Sequence, residues 1–360
     1  MTAPVDETKA TSSATSILRA RALRVVPLGL RQSIIAVLLG IAICFIIMLF
    51  VASEPLVALQ AFVFGTFRNP YSFGSMIAIA TILATTAFAS TIAFRAGAFN
   101  IGTEGQLVLG GLTAAVVAGA VPGGGPLAAV IALAASAVAG ALWIAIPTVL
   151  RVRWKTNEIL TTLMFNYIAA NVALFLVNNF FRDRSSGAVE TPPLDQSVWL
   201  LRILPPSAAN IGVLFVVILA TVLWVWFSRT RAGKRSEVSG LQPSFAEYLG
   251  INATAHLRTS MLLSGAVAGF AGGLAILGIS HAYIEGFSPQ YGFLGITVAL
   301  IGRLRPLGIL VAALLYASLI TGATAMQSVS DVPYSLVFIL QGILILLITS
   351  QRIGSRGGAQ

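Results

Sequence analysis

The residues of this chain that could do chemistry crowd into one stretch, Phe94 to Gly111, which reads FRAGAFNIGTEGQLVLGG. Within it Asn100, Glu104 and Gln106 place two amides and a carboxylate among glycines, between two apolar runs that look like membrane spans. Lipid supplies no hydrogen bonds, so a broken helix at that depth must be buried in protein or line a watery cavity. A carboxylate there costs about 2.5–3.5 kcal/mol on insertion scales, which makes Glu104 a functional candidate. Such amides and a carboxylate can bond the hydroxyls or ring edge of a polar solute. Phe99, and Tyr291 far along the chain, could stack on a ring or simply fill helix interfaces. Glu104 has other possible roles. It could be solvated at a surface, or bond the N–H groups freed at Gly102 and Gly105 and pair with Arg95, or serve as the coupling site of an ion-driven carrier.

Other chemistry finds no foothold. The one Gly-Lys pair, Gly233–Lys234, is followed by Arg235, and Ser228 stands where the first glycine of a phosphate-binding loop belongs. His256 and His281 are far apart in sequence, and no Ser/His/Asp or Cys/His grouping presents itself. Cys44 is the single cysteine, which excludes a disulfide framework and cysteine metal spacing. The net charge of +10 would suggest nucleic acid in a soluble chain, but no run of basic residues interleaved with aromatics occurs. Proton pumping normally needs several buried ionisable groups in series. Glu104 is the only acidic residue inside the expected helical core, and Glu158 lies at an edge. The chain is therefore expected to carry no catalytic residue, metal or cofactor of its own.

The elements that must hold this stretch are membrane helices. Of 360 residues 57% are hydrophobic and 9% charged, and the mean hydropathy is +0.91. A soluble domain carries about 25% charged residues. We expect an all-α polytopic membrane protein with a tail at 1–33, a membrane domain at 34–350 and a second tail at 351–360. About ten segments are expected, at 34–52, 73–94, 106–121, 127–150, 159–181, 210–228, 259–280, 290–302, 306–325 and 334–350. The run at 34–52 is too long, and too far from the start, for the apolar core of a signal peptide. Pro55 to Phe67 reads as a short interfacial helix. The run 290–302 falls short of the roughly 20 residues an ordinary crossing needs.

Lys and Arg set the orientation. With both termini cytoplasmic, the tail, the loops at 151–158 and 229–258, Arg303, Arg305, Arg352 and Arg356 fall inside. Only Arg68, Arg182, Arg184 and Arg202 are left outside. The proline-bearing loop 182–209 is then external. The glycine-broken AGAFNIGTEGQ has an echo in EGFSPQYGFLGI at 285–296, followed by a short apolar run. Paired broken segments in two halves point to a transport site near the midplane. Residues 56–181 and 240–350 are candidate inverted repeats, although glycine is common in membrane helices for close packing alone.

Four stretches, in order, resemble one family. FNIGTEGQLVLGG at 99–111 is similar to the FNIG-x-EGQ signature of permease subunits of ATP-binding-cassette (ABC) importers for nucleosides and simple sugars. KTNEILTTLMFNYIA at 155–169 resembles a second stretch in which Asn157, Glu158, Asn166 and Tyr167 recur. GLQPSFAEYLGI at 240–251 resembles the loop that docks on the ATPase, with Gln242 in place of Asn and Phe245 among the small residues. SPQYGFLGITVALIGRLRPLG at 288–308 resembles the glycine-rich stretch before the penultimate span, with Arg305 where Asn commonly precedes Pro. The resemblance covers about 60–350 and is nearest the nucleoside branch. It implies a multi-pass protein of the bacterial inner membrane that works with an ATPase carrying ATP and Mg, a second permease subunit and an external binding protein. It also adds Asn166 to the candidate solute path of Phe99, Asn100, Glu104, Gln106 and Tyr291. Gly240, Leu241, Pro243, Ala246, Glu247, Tyr248, Leu249 and Gly250 become the candidate coupling residues.

The residues of the 229–258 loop agree with that assignment on their own. Pro243 can open a short helix and Gly250 can close it. Phe245, Tyr248 and Leu249 fall on one side, suited to a groove. An amphipathic helix lying on lipid is the alternative, but Glu237 and Glu247 dilute the basic face such helices carry. An autonomous carrier or channel using Glu104, and a scaffold protein with no transport role, remain as other classes.

Overall fold

The computed structural model describes residues 52–331 and, beyond them, 42, 43, 45–50, 339 and 342. Both expected tails and most of the expected first and last spans lie outside the described residues. By packing the chain forms two units, 1–59 with 329–360 and 60–328. In the first, the Ser53 hydroxyl donates to the Asp331 carboxylate at 3.1 Å. The functional stretches lie in the second.

The described residues are helical, with only isolated bridges at Glu190–Ile284 and Arg202–Asn210. In order they form α1 (Pro55–Phe64), α2 (Pro70–Arg95), α3 (Thr103–Ala120), α4 (Gly125–Trp154), α5 (Glu158–Leu176), α6 (Gly212–Arg229), α7 (Arg231–Leu241), α8 (Pro243–Tyr248), α9 (Ala253–Ala275), α10 (Tyr291–Ile301) and α11 (Pro306–Gln327). One π turn extends α5 to Phe181 and another extends α9 to Ser280. Six of these helices are long and apolar enough to cross a membrane: α2, α4, α5, α6, α9 and α11. The short run expected at 290–302 is α10, whose 11 residues span about 16 Å, half a hydrocarbon core. The segment expected at 106–121 begins earlier, at Thr103, and its polar first turn lowers its hydropathy.

Side-chain size decides which helices are central. Along α2 the sequence is mostly Ala, Thr, Ser and Ile, and the helix is buried nearly all round. Four of its hydroxyls are satisfied within the helix: Thr81, Thr85, Ser90 and Thr91 each donate to the carbonyl four residues back at 2.7–3.1 Å. Asn69 caps the helix by accepting from the Ser72 N–H, and Pro70 follows at the first helical position. α9 crosses α4 through small residues at four-residue spacing, Gly265, Gly269 and Gly273 against Ile144, Gly140 and Ser136. The order of these contacts makes the two helices antiparallel. A Cβ on Gly269 would collide with the Ser136 carbonyl, so this stripe brings backbones together as in membrane bundles. By contrast α4 and α6 expose Leu127, Val130, Leu142, Leu214, Ile218 and Val222, apolar surface of the kind that meets lipid.

The segment between α5 and α6 is a strap laid along the π turn that ends α9 and the residues that follow it. Glu285 N–H donates to Val189 O, Thr191 N–H to Tyr283 O, Leu194 N–H to His281 O and Leu200 N–H to Leu277 O, at 2.8–3.0 Å. Leu194 and Val198 of the strap share a buried cluster with Leu112, Ala118, Leu133, Ala173 and Leu277.

Candidate functional site

Two long helices each end in a break followed by a further helix: α2 leads through 96–102 into α3, and α9 through 281–290 into α10. The first break leaves backbone groups without helical partners, and polar side chains of neighbouring helices take them up. Asn100 Oδ1 accepts from the Gly102 N–H at 3.0 Å, an Asx turn just ahead of α3. Its Nδ2 donates to Gln106 Oε1 at 2.9 Å and to Ser264 Oγ on α9 at 2.8 Å, while Gln106 Nε2 donates back to Asn100 Oδ1 at 3.0 Å. From α5, Thr162 Oγ1 accepts the Ile101 N–H, and Asn166 donates to the Ile101 carbonyl and accepts from the Gly105 N–H at 2.8 Å. The N–H groups of Ile101, Gly102 and Gly105 and the Ile101 carbonyl are thus each satisfied by a side chain.

The second break meets the first at Glu104. Its Oε2 accepts from the Gly292 N–H of α10 at 2.6 Å, and Ser288 adds a side-chain bond. Thr103 Oγ1 donates to Gly292 O at 3.1 Å, and Thr86 Oγ1 of α2 to Tyr291 O at 3.2 Å. A Cβ on Gly292 would collide with the Glu104 backbone, so glycine is what lets the two helix starts touch. Glu104 lies in the first turn of α3 and caps the first turn of α10, so one carboxylate faces the positive ends of two helix dipoles. Each favourable placement of this kind contributes about 0.3–1 kcal/mol, more when partly buried.

This corrects the partners expected for Glu104. Gly102 and Gly105 give their N–H groups to Asn100 and Asn166, not to the carboxylate, because each amide is one turn or one helix away and needs no charge. Arg95 pairs with Glu237 Oε1 at 2.8 Å. The expected path residues divide in the same way. Asn100, Gln106 and Asn166 are buried and bonded to protein, Glu104 and Tyr291 are partly exposed, and Phe99 is 49% exposed with its ring 5.3 Å from Phe94. Sequence reasoning did not name Thr162, Ser264, Ser288 and Gly292 as site residues; Thr162 and Ser264 are small polar residues inside apolar runs, and Ser288 and Gly292 lie in the second glycine-broken stretch. A separate cavity of about 590 Å³ lies where α3 ends, between Gly119, Phe180, Arg182, Pro192 and Asp195, away from Glu104.

The α7–α8 segment is built by its termini. Thr230 caps α7 by accepting from the Gly233 N–H at 3.1 Å. Pro243 opens α8, and a Schellman turn closes it, with Gly250 N–H donating to Glu247 O and Ile251 N–H to Ala246 O at 2.9 Å. Gly250 takes φ +72°, the left-handed value this turn demands. Ala246 is buried, whereas Leu241, Pro243, Phe245, Glu247, Tyr248 and Leu249 are exposed, Tyr248 to 88%.

Known proteins are similar to this sequence over most of its length. The family described as branched-chain amino acid transport system / permease component matches residues 72–349. The guanosine ABC transporter permease protein NupP of Bacillus subtilis is 33% identical over 320 residues, covering 88% of this chain and 92% of that protein. The nucleoside ABC transporter permease protein NupB of Lactococcus lactis is 30% identical over 329 residues, 88% of this chain and 89% of that protein. A glucose ABC transporter permease protein of Haloferax volcanii is 31% identical over 331 residues, 88% and 87%. No solved structure matches.

Proposed function

This chain belongs to the branched-chain amino acid transport system permease family and is an ABC-transporter permease of the cytoplasmic membrane, not an enzyme; from that premise we propose that it carries nucleosides, or a related ribosyl or simple-sugar solute, inward. The solute class is supported by the guanosine, nucleoside and glucose roles named for its relatives. In this reading the work comes from ATP and Mg on a separate ATPase. A binding protein delivers the solute from outside, and a second permease subunit, identical or homologous, completes the path.

As proposed, the chain crosses ten times with both termini cytoplasmic, α7 and α8 inside and the strap at 182–209 outside. The two halves are inverted repeats whose breaks meet at Glu104 and Gly292. Asn100, Gln106 and Asn166 are the frame of the break, while Phe99, Glu104 and Tyr291 meet the solute. The observation that carries the mechanism is α8, a short helix fixed at both ends that leaves Phe245, Tyr248 and Leu249 exposed among the described residues. Such a face fits the groove of an ATPase.

Replacing Tyr248 and Leu249 with Asp tests it. Solute uptake by the assembled importer should be abolished, with the permease still inserted at wild-type abundance. Normal solute-stimulated ATP hydrolysis in that variant would show that the ATPase docks elsewhere.

A further inference from the structure

We infer that the Arg95–Glu237 ion pair and the Gly97–Gly240 contact beside it form the link through which α7 and α8 move the helix break at 96–102. The inference rests on the reading above, that residues 240–251 dock on an ATPase.

The link is short. Arg95 is the last residue of α2, and Glu237 stands in the middle of α7, their charged atoms 2.8 Å apart and both side chains mostly buried. The Arg95 guanidinium also lies 4.1 Å over the Phe227 ring of α6, which fixes its direction. The other charge near Glu237 is Lys234, at 3.8 Å and more exposed. One turn on, the backbones of Gly240 and Gly97 touch. A Cβ on Gly240 would fall 2.5 Å from Arg95 O and from Gly97 N, and a Cβ on Gly97 2.7 Å from Gly240 Cα. Gly97 has φ +75°, so a side chain is excluded there twice over.

No side chain therefore cushions α7 from the break, and three residues after Gly97 comes Asn100, which sets the start of α3. The two contacts act in opposite senses. A steric contact between backbones resists only compression, so Gly240 can push Gly97. An ion pair resists separation, so Glu237 can pull Arg95. Together they transmit displacement of α8 both ways, to the point where Glu104 joins α3 to α10. Behind them Ser236 and Ser260 share a buried 3.1 Å hydrogen bond that keeps α7 against α9.

The test uses the whole importer in proteoliposomes and reads solute moved per ATP hydrolysed, a ratio that mere loss of abundance leaves unchanged. Glu237→Gln should keep the ATPase bound and hydrolysing while that ratio falls about five-fold or more, the low end of typical coupling energies. Gly240→Ala, which forces the backbones apart, should lower the same ratio. The exchanged pair, Arg95→Glu with Glu237→Arg, should recover much of it. A wild-type ratio in both Glu237→Gln and Gly240→Ala, with the ATPase bound, would overturn the inference. If Glu237→Gln fails to assemble, Glu237→Asp keeps the charge on a shorter tether, and a wild-type ratio there overturns the inference equally. If the ATPase does not bind the wild-type chain at all, the docking reading fails first and takes this link with it.

Discussion

Two helix starts meet at the Glu104 carboxylate, and among the described residues no Lys or Arg pairs with it. We propose that this carboxylate is structural and meets the solute, whereas a proton-coupled carrier would need it to load and release a proton. Gln keeps the shape and an acceptor oxygen for the Gly292 N–H, but not the charge. Glu104→Gln should therefore lose about 1–2 kcal/mol of fold stability, the difference between a charged and a neutral hydrogen bond. It should keep a substantial part of ATP-driven uptake, and uptake should ignore an imposed pH gradient. Thermal unfolding in detergent and flux in proteoliposomes measure the two; loss of all uptake would favour the proton-coupled carrier. Asn166→Leu should do more structural harm, because it orphans both the Gly105 N–H and the Ile101 carbonyl. Each buried orphan costs about 1–3 kcal/mol, and the same melting experiment reads it. The polar residues of this site were visible in the sequence, their partners were not. Asn100 and Gln106 are six positions apart and advertise themselves as a pair, but the helix that supplies Thr162 and Asn166 comes 61 residues later, and nothing local says which of its faces turns toward Ile101 and Gly105.

At the scale of elements, termini and small residues carried most of the legible signal. Pro243 and Gly250 bound α8 as their backbone preferences demand, and the short run at 290–302 is indeed a short helix. Gly250→Ala should strain the closing turn by about 1–2 kcal/mol, seen as faster hydrogen exchange at the Gly250 and Ile251 amides with no change elsewhere. What the sequence did not disclose is the strap. Its proline-rich composition reads as a plain external loop, yet its backbone pairs with the segment after α9, a contact no periodicity encodes. The strap carries Trp199, stacked on His281 at 3.6 Å, with Arg202 Nη2 3.4 Å from His281 Nε2. Burial, and then the Arg202 charge, hold the imidazole at about 4, below its ordinary 6.5. The packed imidazole is thus neutral, and the detached strap takes up a proton first as pH falls. The strap's hold should be complete above about pH 6.5, weaken as pH falls from 6.5 to 4, and lose nothing further below. Hydrogen exchange at Leu194 and Leu200, corrected for intrinsic rates, should show that trend, and His281→Gln should flatten it.

For the molecule as a whole, composition made a membrane protein evident, and the distribution of Lys and Arg supplied an orientation. The number of crossings was harder to read, because α3 and α10 start at polar breaks and neither presents a long uninterrupted apolar run. We propose that the molecule is a passive path whose halves are joined at Glu104 and driven through α8 by a separate ATPase. Uptake of labelled nucleosides into proteoliposomes, with the ATPase and ATP present or omitted and a proton gradient imposed or collapsed, measures this directly. Uptake should require ATPase and ATP together and be indifferent to the gradient. Uptake by this chain without the ATPase, rising and falling with the proton gradient, would contradict it.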